Sequence, residues 1–180
     1  MKISKETLKM LRDIIGFMLF IFLSYIVFWV ALYCKSKKTI LKMTISSYLV
    51  AYLGFIFTYN LNGTINNTYG IIRSFVGVKI DNFETKKRIP VLVSMLAVLL
   101  LVYYFTYNGV STLCLAVCGV LNLIGSLLGD AQWLRKLGLV GGVFYAMFLL
   151  FSGSVIGFIC ELITDIVLLT SYIKYRGTSN

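Results

Sequence analysis

The chain contains no histidine, a single proline and few charged residues. Of its 180 residues only 13% are charged and 59% are hydrophobic, whereas a soluble domain carries about 25% charged residues. Several apolar runs approach or exceed the roughly 20 residues that cross a bilayer as a helix. The composition therefore predicts an all-α integral membrane protein that is too short to carry a separate soluble domain.

The residues needed for catalysis or metal binding are also scarce. Histidine is the commonest general base and metal ligand, and it is absent. Of the four cysteines, Cys114 and Cys118 share a helix face and none forms a C-x-x-C pair, so we interpret all four as packing residues. We therefore expect no enzyme, no catalytic residue, no metal and no cofactor.

The net charge of +10 comes from basic clusters beside the apolar runs. We interpret these clusters as topology signals and contacts for anionic lipid, not as a nucleic-acid surface. Twelve of the 17 basic residues fall on one side of a seven-helix arrangement. They are Lys35, Lys37, Lys38, Lys42, Lys79, Lys86, Lys87, Arg88, Arg135, Lys136, Lys174 and Arg176. The positive-inside rule then predicts a multi-pass protein with a cytoplasmic C-terminus.

Seven crossings place the N-terminus outside, together with its four basic residues. Lys2, Lys5, Lys9 and Arg12 recur at helical spacing in the amphipathic lead-in 1–13. Two explanations remain open. Either the basic loops override this segment, or one of the assigned helices does not cross.

The apolar runs divide the chain into two units of three helices and a linker. The first unit covers residues 14–80, a loop and linker helix 4 cover 81–107, and the second unit covers 111–176. The seven predicted helices are 14–33, 43–59, 64–80, 90–107, 111–128, 137–151 and 153–176. Pro90 is placed in the first turn of helix 4.

The two units resemble each other when the chain is shifted by ninety residues. Leu49-Val50 then falls on Leu139-Val140, and Gly63-Thr64-Ile65 falls on Gly153-Ser154-Val155. A single linker helix between the units gives both the same orientation in the membrane, as in the parallel-repeat transporters. The alternative is a chance similarity between two apolar hairpins.

Two acidic residues occur inside the last apolar run. Glu161 and Asp165 are four residues apart and share one helix face. A carboxylate in the middle of a membrane span costs ~3 kcal/mol, so it normally faces the protein interior and has a partner. Arg73 in helix 3 is the candidate partner, because at the ninety-residue offset it maps onto Ile163, between the acids. If helices 3 and 7 face each other, the three charges meet near the bilayer centre.

One acid would neutralise Arg73, and the second would bind a cationic substrate or hold a proton. Asn66, Asn67 and Asn122 would supply neutral hydrogen bonds. The alternative is that the charges only lock two helices together and that the asparagines join helices. The tyrosines are interpreted as an interface belt and as packing residues.

The order of seven short helices resembles the YgjV-type bacterial inner-membrane proteins, which belong with SWEET, PQ-loop and PnuC-type transporters. The resemblance covers nearly the whole chain after residue 12, and its most specific pieces are two. They are Gly63 followed by Arg73 in helix 3, and Gly153 followed by Glu161 and Lys174 in helix 7. It implies a 3+1+3 fold, an outside N-terminus, a central pocket and the bacterial cytoplasmic membrane. The chain lacks a proline-glutamine pair in helices 1 and 5 and has no asparagine in helix 7, so no relative's substrate is carried over.

These observations favour a small-solute transporter that works by alternating access around Arg73, Glu161, Asp165 and Asn67. The alternatives are the substrate-binding subunit of a larger transporter and a non-transporting receptor or partner subunit. The expected partners are the lipid bilayer and a small-molecule solute, with a homodimer as a candidate assembly.

Overall fold

The computed structural model describes residues 5–58, 61–107 and 109–176. Over these residues the chain forms seven α-helices and no strand, which confirms the predicted all-α class. The helices are α1 (Lys5–Leu32), α2 (Lys37–Thr58), α3 (Leu61–Ile80), α4 (Thr85–Phe105), α5 (Val110–Leu127), α6 (Ala131–Phe151) and α7 (Val155–Tyr175). The last four of these are long and apolar enough to cross a membrane, and α1 holds a shorter apolar segment, Met18–Leu32.

Several helices begin earlier than their apolar runs. The predicted lead-in and the first apolar run form one helix from Lys5, and the basic segments before helices 2 and 6 lie largely in the first turns of α2 and α6. Lysine and arginine are good helix formers, so a charged segment can extend a helix beyond its apolar part. Asp130 caps α6, because its carboxylate accepts a hydrogen bond from the Trp133 backbone N–H at 2.7 Å.

Pro90 lies deeper in its helix than predicted. Because α4 begins at Thr85, Pro90 falls in the second turn and not in the first. Its ring nitrogen has no hydrogen to donate to the carbonyl one turn earlier. The prediction was wrong because the charged residues before the proline are helical.

The turn between α6 and α7 depends on Gly153. This residue has φ 71°, a left-handed conformation that glycine adopts without a side-chain clash. The Ser154 N–H donates to the Leu149 carbonyl at 2.9 Å and the Gly153 N–H donates to the Leu150 carbonyl at 3.0 Å. These two bonds form a Schellman motif, which ends α6 and lets α7 begin at Val155.

The helices pack as two groups of three. In the first group α2 lies between α1 and α3, and in the second α6 lies between α5 and α7. The groups meet where α1 packs on α7, where α3 packs on α5 and where α2 approaches α6. Helix α4 lies against α5 and α3. We expected helix 3 to face helix 7, but the close neighbours of α3 and α7 across the group boundary are α5 and α1.

Most of α4 is exposed. Leu99 is the buried residue of this helix, all of which is described, while Tyr104 and Phe105 near its end are about three-quarters exposed. A helix that is apolar on its outer face suits contact with lipid. This is the surface expected of a connector at the edge of a membrane bundle.

Two apolar clusters close the end of the bundle that carries the basic residues. The first is built on Leu32, Ile40 and Leu168, and the second on Ile80, Leu123 and Leu127. All six side chains are at most 5% exposed. Each cluster includes residues from the ends of helices, Leu32 of α1 in the first and Ile80 and Leu127 of α3 and α5 in the second.

Helix α7 is held against α1 by hydrogen bonds. The Trp29 indole N–H donates to the Thr164 hydroxyl at 2.8 Å, and the Tyr33 and Thr170 hydroxyls lie 2.7 Å apart. Nearer the end of α7, the Tyr175 hydroxyl donates to the Tyr33 carbonyl at 2.7 Å. These contacts fix the rotation of α7, and therefore the direction in which its acidic face points.

Candidate functional site

Both acids of α7 face the protein interior. Glu161 is buried, with 8% of its surface exposed, and Asp165 is half-buried. The exposed face of α7 carries Leu162, Ile163 and Ile166 instead. The high cost of a carboxylate in contact with lipid explains this orientation.

The Asp165 carboxylate lies directly on the backbone of α6 at Gly142. A β-carbon built at Gly142 would overlap the carboxylate, whereas one at Gly138 would meet only Leu168, at 3.5 Å. Gly142 therefore leaves the space that Asp165 occupies. The Asp165 Oδ1 atom is buried and has no hydrogen-bond partner among the described residues.

Arg73 of α3 is buried and forms a hydrogen bond with the Tyr48 side chain. Its Nη2 atom donates to the Tyr48 hydroxyl at 3.1 Å. The Tyr48 ring lies on Gly70, where a β-carbon would come within 2.6 Å of the ring atoms. The Arg73 Nε atom is buried and, within the described part of the chain, has no hydrogen-bond partner.

The predicted direct contact between Arg73 and an acid is not formed. Among the residues whose side chains are described (16, 18–54, 65–107 and 109–176), the one ion pair joins Lys37 to Asp81, at 3.0 Å, and involves neither acid of α7. Arg73 has the neutral Tyr48 hydroxyl as its side-chain contact instead. The charges of α3 and α7 therefore do not form a salt bridge.

Cys118 lies on α5, in the interior of the bundle. It is buried and lies close enough to Arg73, Glu161 and Asp165 to interact electrostatically with all three. Asn122, one turn along α5, donates to the Cys118 sulfur at 3.2 Å. No described contact joins Arg73 to either acid, so the three charged residues are not seen to form one set.

Several tyrosines lie within electrostatic range of these charges. Tyr145 is within electrostatic range of Glu161 and Cys118, and Tyr103 is within range of Arg73 and Cys118. The others are Tyr25, Tyr48 and Tyr69. We expected the tyrosines to be interface and packing residues, whereas Tyr48 accepts a hydrogen bond from Arg73 in the interior. Its position in the middle of α2, and not at a helix end, was the available signal.

The three asparagines differ in their surroundings. Asn67 is buried and its Nδ2 atom has no hydrogen-bond partner in the described part of the chain, whereas Asn66 is half-buried. Asn122 bonds to Cys118 within its own helix and lies near α6, about 3.4 Å from where a Gly141 β-carbon would be. Asn67 and Asn122 therefore have polar groups in the interior, while no described contact links Asn66 to the charges.

The unpartnered atoms indicate what the interior of the bundle can bind. Buried polar atoms in proteins almost always have a protein, water or ligand partner. The hydroxyl of Tyr69, the Nε atom of Arg73 and the Oδ1 atom of Asp165 have none among the described residues. Water or a polar solute would satisfy them. The described residues contain no group of three potential metal ligands.

Comparison of the chain with protein-family models, with curated proteins and with solved structures gives no match in any of the three.

Proposed function

We propose that this chain is a small-solute transporter that works by alternating access around the buried polar groups of the bundle. The observation that carries the proposal is that Arg73 and Glu161 are buried and that buried polar atoms of Arg73 and Asp165 have no partner among the described residues. Ionisable residues inside a membrane protein are costly and usually mark the path of a substrate or ion. The bound solute would complete the hydrogen bonds that the protein leaves open.

The proposed arrangement has seven membrane spans in a 3+1+3 order, in a bacterial cytoplasmic membrane with the C-terminus inside. Helix α3 is too polar to be recognised as a span by composition, because it carries Asn67 and Arg73. Both side chains are buried, while Ile72 and Phe75 of the same helix are about half exposed. A polar helix shielded by its neighbours is compatible with a position inside a membrane bundle.

Helix spacing supports a duplicated design. Helices α2 and α6 begin at Lys37 and Ala131, which are 94 residues apart, and α3 and α7 begin at Leu61 and Val155, again 94 apart. The contacts among these six helices are also unchanged when α1, α2 and α3 are exchanged for α5, α6 and α7. This spacing differs from the ninety residues suggested by sequence matching. When the chain is shifted by 94 residues, Glu161 of α7 falls on Asn67 of α3.

A structural-lock role for the charges is less well supported. A lock between α3 and α7 requires a direct pairing of Arg73 with Glu161 or Asp165, and the described ion pairs include none. A buried arginine is costly unless its donors are satisfied. Leaving its Nε atom unpartnered is easier to explain if a solute or water completes the site.

Uptake by purified protein in proteoliposomes tests the proposal. A thermal-shift screen against a metabolite library selects the solute, and the uptake of that solute is then measured for the wild-type protein and for Arg73→Gln. We expect Arg73→Gln to lower uptake at least about tenfold, because a buried charged hydrogen-bond donor contributes ~1.5–3 kcal/mol. Arg176→Gln is the matched control, since Arg176 is exposed at the end of α7.

Two results would contradict the transport proposal. One is a wild-type protein that moves no solute of the library across the bilayer. The other is uptake by folded Arg73→Gln at the rate of Arg176→Gln. Retained uptake after replacing all three charges by apolar residues would point instead to a non-transporting receptor or partner subunit.

A further inference from the structure

Arg73 is a buried positive charge with no counter-ion among the described side chains. The residue is 8% exposed, its Nη2 atom donates to the Tyr48 hydroxyl at 3.1 Å, and its Nε atom is buried without a partner in this part of the chain. The ion pair between Lys37 and Asp81 does not involve it. A buried charge is costly unless an opposite charge and hydrogen bonds compensate it. An anion that accepts a hydrogen bond from the Nε atom would therefore stabilise Arg73.

Tyr48 orients the guanidinium group without neutralising it. The Tyr48 ring lies on the backbone of α3 at Gly70, where a β-carbon would come within 2.6 Å of the ring atoms. This close contact brings the hydroxyl to Arg73, three residues further along the helix. An uncharged hydroxyl accepts a hydrogen bond but supplies no negative charge, so the charge of Arg73 remains available to a ligand.

The Tyr69 hydroxyl is a second buried donor on the same face of α3. Tyr69 precedes Arg73 by four residues, a spacing that places two side chains on one helix face with their β-carbons about 5–6 Å apart. The hydroxyl has no hydrogen-bond partner among the described residues. Asn67 and Ser74 also have buried polar atoms of this kind, but at about 100° of rotation per residue they lie on a different face. Arg73 and Tyr69 are therefore the two donors that we assign to one ligand.

A carboxylate matches these two donors in geometry and in charge. The planar donors of a guanidinium group fit carboxylate oxygens, and a phenol hydroxyl donates to an oxygen as well. One carboxylate carries one negative charge, which balances the one charge of Arg73. A phosphate group carries about −1.5 to −2 at neutral pH and would leave excess charge inside the membrane, where charge is costly.

We propose that Arg73 binds the carboxylate group of the transported solute, with the Tyr69 hydroxyl as a second donor, and that the solute belongs to the small monocarboxylates. This inference rests on the transport function proposed above and names the class of its substrate. The solute would supply the negative charge that the sequence led us to expect from Glu161 or Asp165. Its carboxylate and the guanidinium group would form a neutral pair in the interior of the bundle.

Matched pairs of probes test the inference on the wild-type protein in detergent. The probes are short-chain fatty acids, lactate, pyruvate and benzoate, each compared with its own amide, which keeps the shape and loses the charge. Inorganic phosphate and chloride are measured at the same ionic strength. Isothermal titration and thermal shift report binding. We expect at least one carboxylate to bind at least about tenfold more tightly than its amide and than either inorganic ion, because hydrogen bonds to a charged group are the strong ones.

Variants on α3 assign the preference to its residues. Arg73→Gln should abolish the preference for the carboxylate over the amide, whereas Arg73→Lys keeps the charge and should retain part of it. Tyr69→Phe should weaken carboxylate binding about threefold to tenfold, because it removes one neutral hydrogen bond. Tyr104→Phe is the matched control, since Tyr104 is 78% exposed on α4, and should leave binding unchanged. If Arg73→Gln does not fold, the wild-type protein and Arg73→Lys decide.

The inference is overturned if no carboxylate binds more tightly than its amide, if folded Arg73→Gln retains the wild-type preference, or if phosphate or chloride binds best. Its failure is distinguishable from failure of the transport proposal. Uptake of an uncharged or cationic solute by the proteoliposomes would reject the carboxylate and retain the transporter. Carboxylate binding that depends on Arg73, without uptake of any solute, would retain the site and reject transport.

Discussion

At the scale of single residues, two glycines determine where the polar groups can lie. Gly70 gives the Tyr48 ring a place on α3, from which its hydroxyl reaches Arg73. Gly142 gives the Asp165 carboxylate a place on α6. In both cases the absence of a β-carbon allows a polar side chain to approach a neighbouring backbone. The surroundings of Arg73 and the position of Asp165 therefore depend on two glycines, which carry no charge themselves.

Gly142→Ala and Gly138→Ala test this dependence on one helix. Alanine at Gly138 should raise the stability of the protein by up to ~1 kcal/mol, since alanine favours helix more than glycine does. Alanine at Gly142 should lower it by ~1–3 kcal/mol, because the new methyl group displaces the Asp165 carboxylate. Thermal unfolding of the two variants in the same detergent gives the comparison. Equal melting temperatures would show that Asp165 does not lie on Gly142.

The sequence allowed the direction of the acidic face to be predicted, but not the partners of the charges. Glu161 was expected to face inward because of its cost in lipid, and it is buried. The contact of Arg73 with Tyr48, 25 residues earlier, depends on how α2 and α3 are rotated against each other. Cys118 and Asn122 could be assigned to one helix face, but nothing in their spacing indicates that this face meets the charges.

At the scale of helices, two arginines bind the ends of helices that they do not belong to. Arg135 of α6 donates to the carbonyls of Leu32, at 3.3 Å, and Cys34, at the end of α1. Arg88 of α4 donates to the carbonyl of Leu127, at 3.3 Å, at the end of α5. The last carbonyls of a helix lack partners within it, so these guanidinium groups stabilise both ends.

Arg135→Lys should be clearly destabilising although it keeps the charge. Arg135 is 1% exposed, bonds to three carbonyls and lies 4.8 Å from the Tyr175 ring centre. A lysine ammonium cannot reproduce this planar set of donors, so we expect a loss of ~2 kcal/mol in the free energy of unfolding. Lys136→Arg, at the neighbouring exposed position, is the control and should change it by less than ~0.5 kcal/mol. A loss no larger than that of the control would contradict the role of Arg135.

The presence of each helix was easier to predict than the residue at which it begins. The apolar parts of the helices follow from hydropathy, because those residues must avoid water. The charged first turns of α2, α4 and α6 cannot be predicted from hydropathy, since lysine, arginine and threonine occur in helices and in loops alike. Pro90 was misplaced for this reason. The glycine turn before α7 was predicted because a left-handed residue ends a helix sharply.

At the scale of the whole molecule, the basic end and the opposite end are built differently. The basic end holds the Lys37–Asp81 ion pair, the two guanidinium contacts and both apolar clusters. At the opposite end, α6 and α7 are joined by the tight turn at Gly153.

Reporter fusions test the proposed orientation. Green fluorescent protein after the C-terminus should fluoresce, and alkaline phosphatase inserted at Gly109 or Gly153 should be active, because seven spans place both turns outside. A tag before Met1 should be accessible from outside despite its basic neighbours. An active phosphatase at the C-terminus would reject the orientation. An inaccessible N-terminal tag would show that one helix does not cross.

The all-α class followed from composition, but the helix neighbours did not. Two groups of three helices were expected from the linker helix and from the match of Gly63 with Gly153, but Gly63 lies within α3 whereas Gly153 forms a turn. The pairing of α3 with α5 and of α1 with α7 depends on contacts such as that of Trp29 with Thr164, across 135 residues of chain. Single-sequence patterns describe faces of helices and contain no information about which faces meet.

The most direct test of the central claim is a high-resolution electron-microscopy map of the protein in lipid nanodiscs. The claim is that polar groups inside the bundle are left open for water or a solute. We predict ordered density within hydrogen-bonding distance of the Arg73 Nε atom, the Asn67 Nδ2 atom and the Asp165 Oδ1 atom. A map in which these side chains face lipid, or are packed among apolar side chains with no density between them, would contradict it.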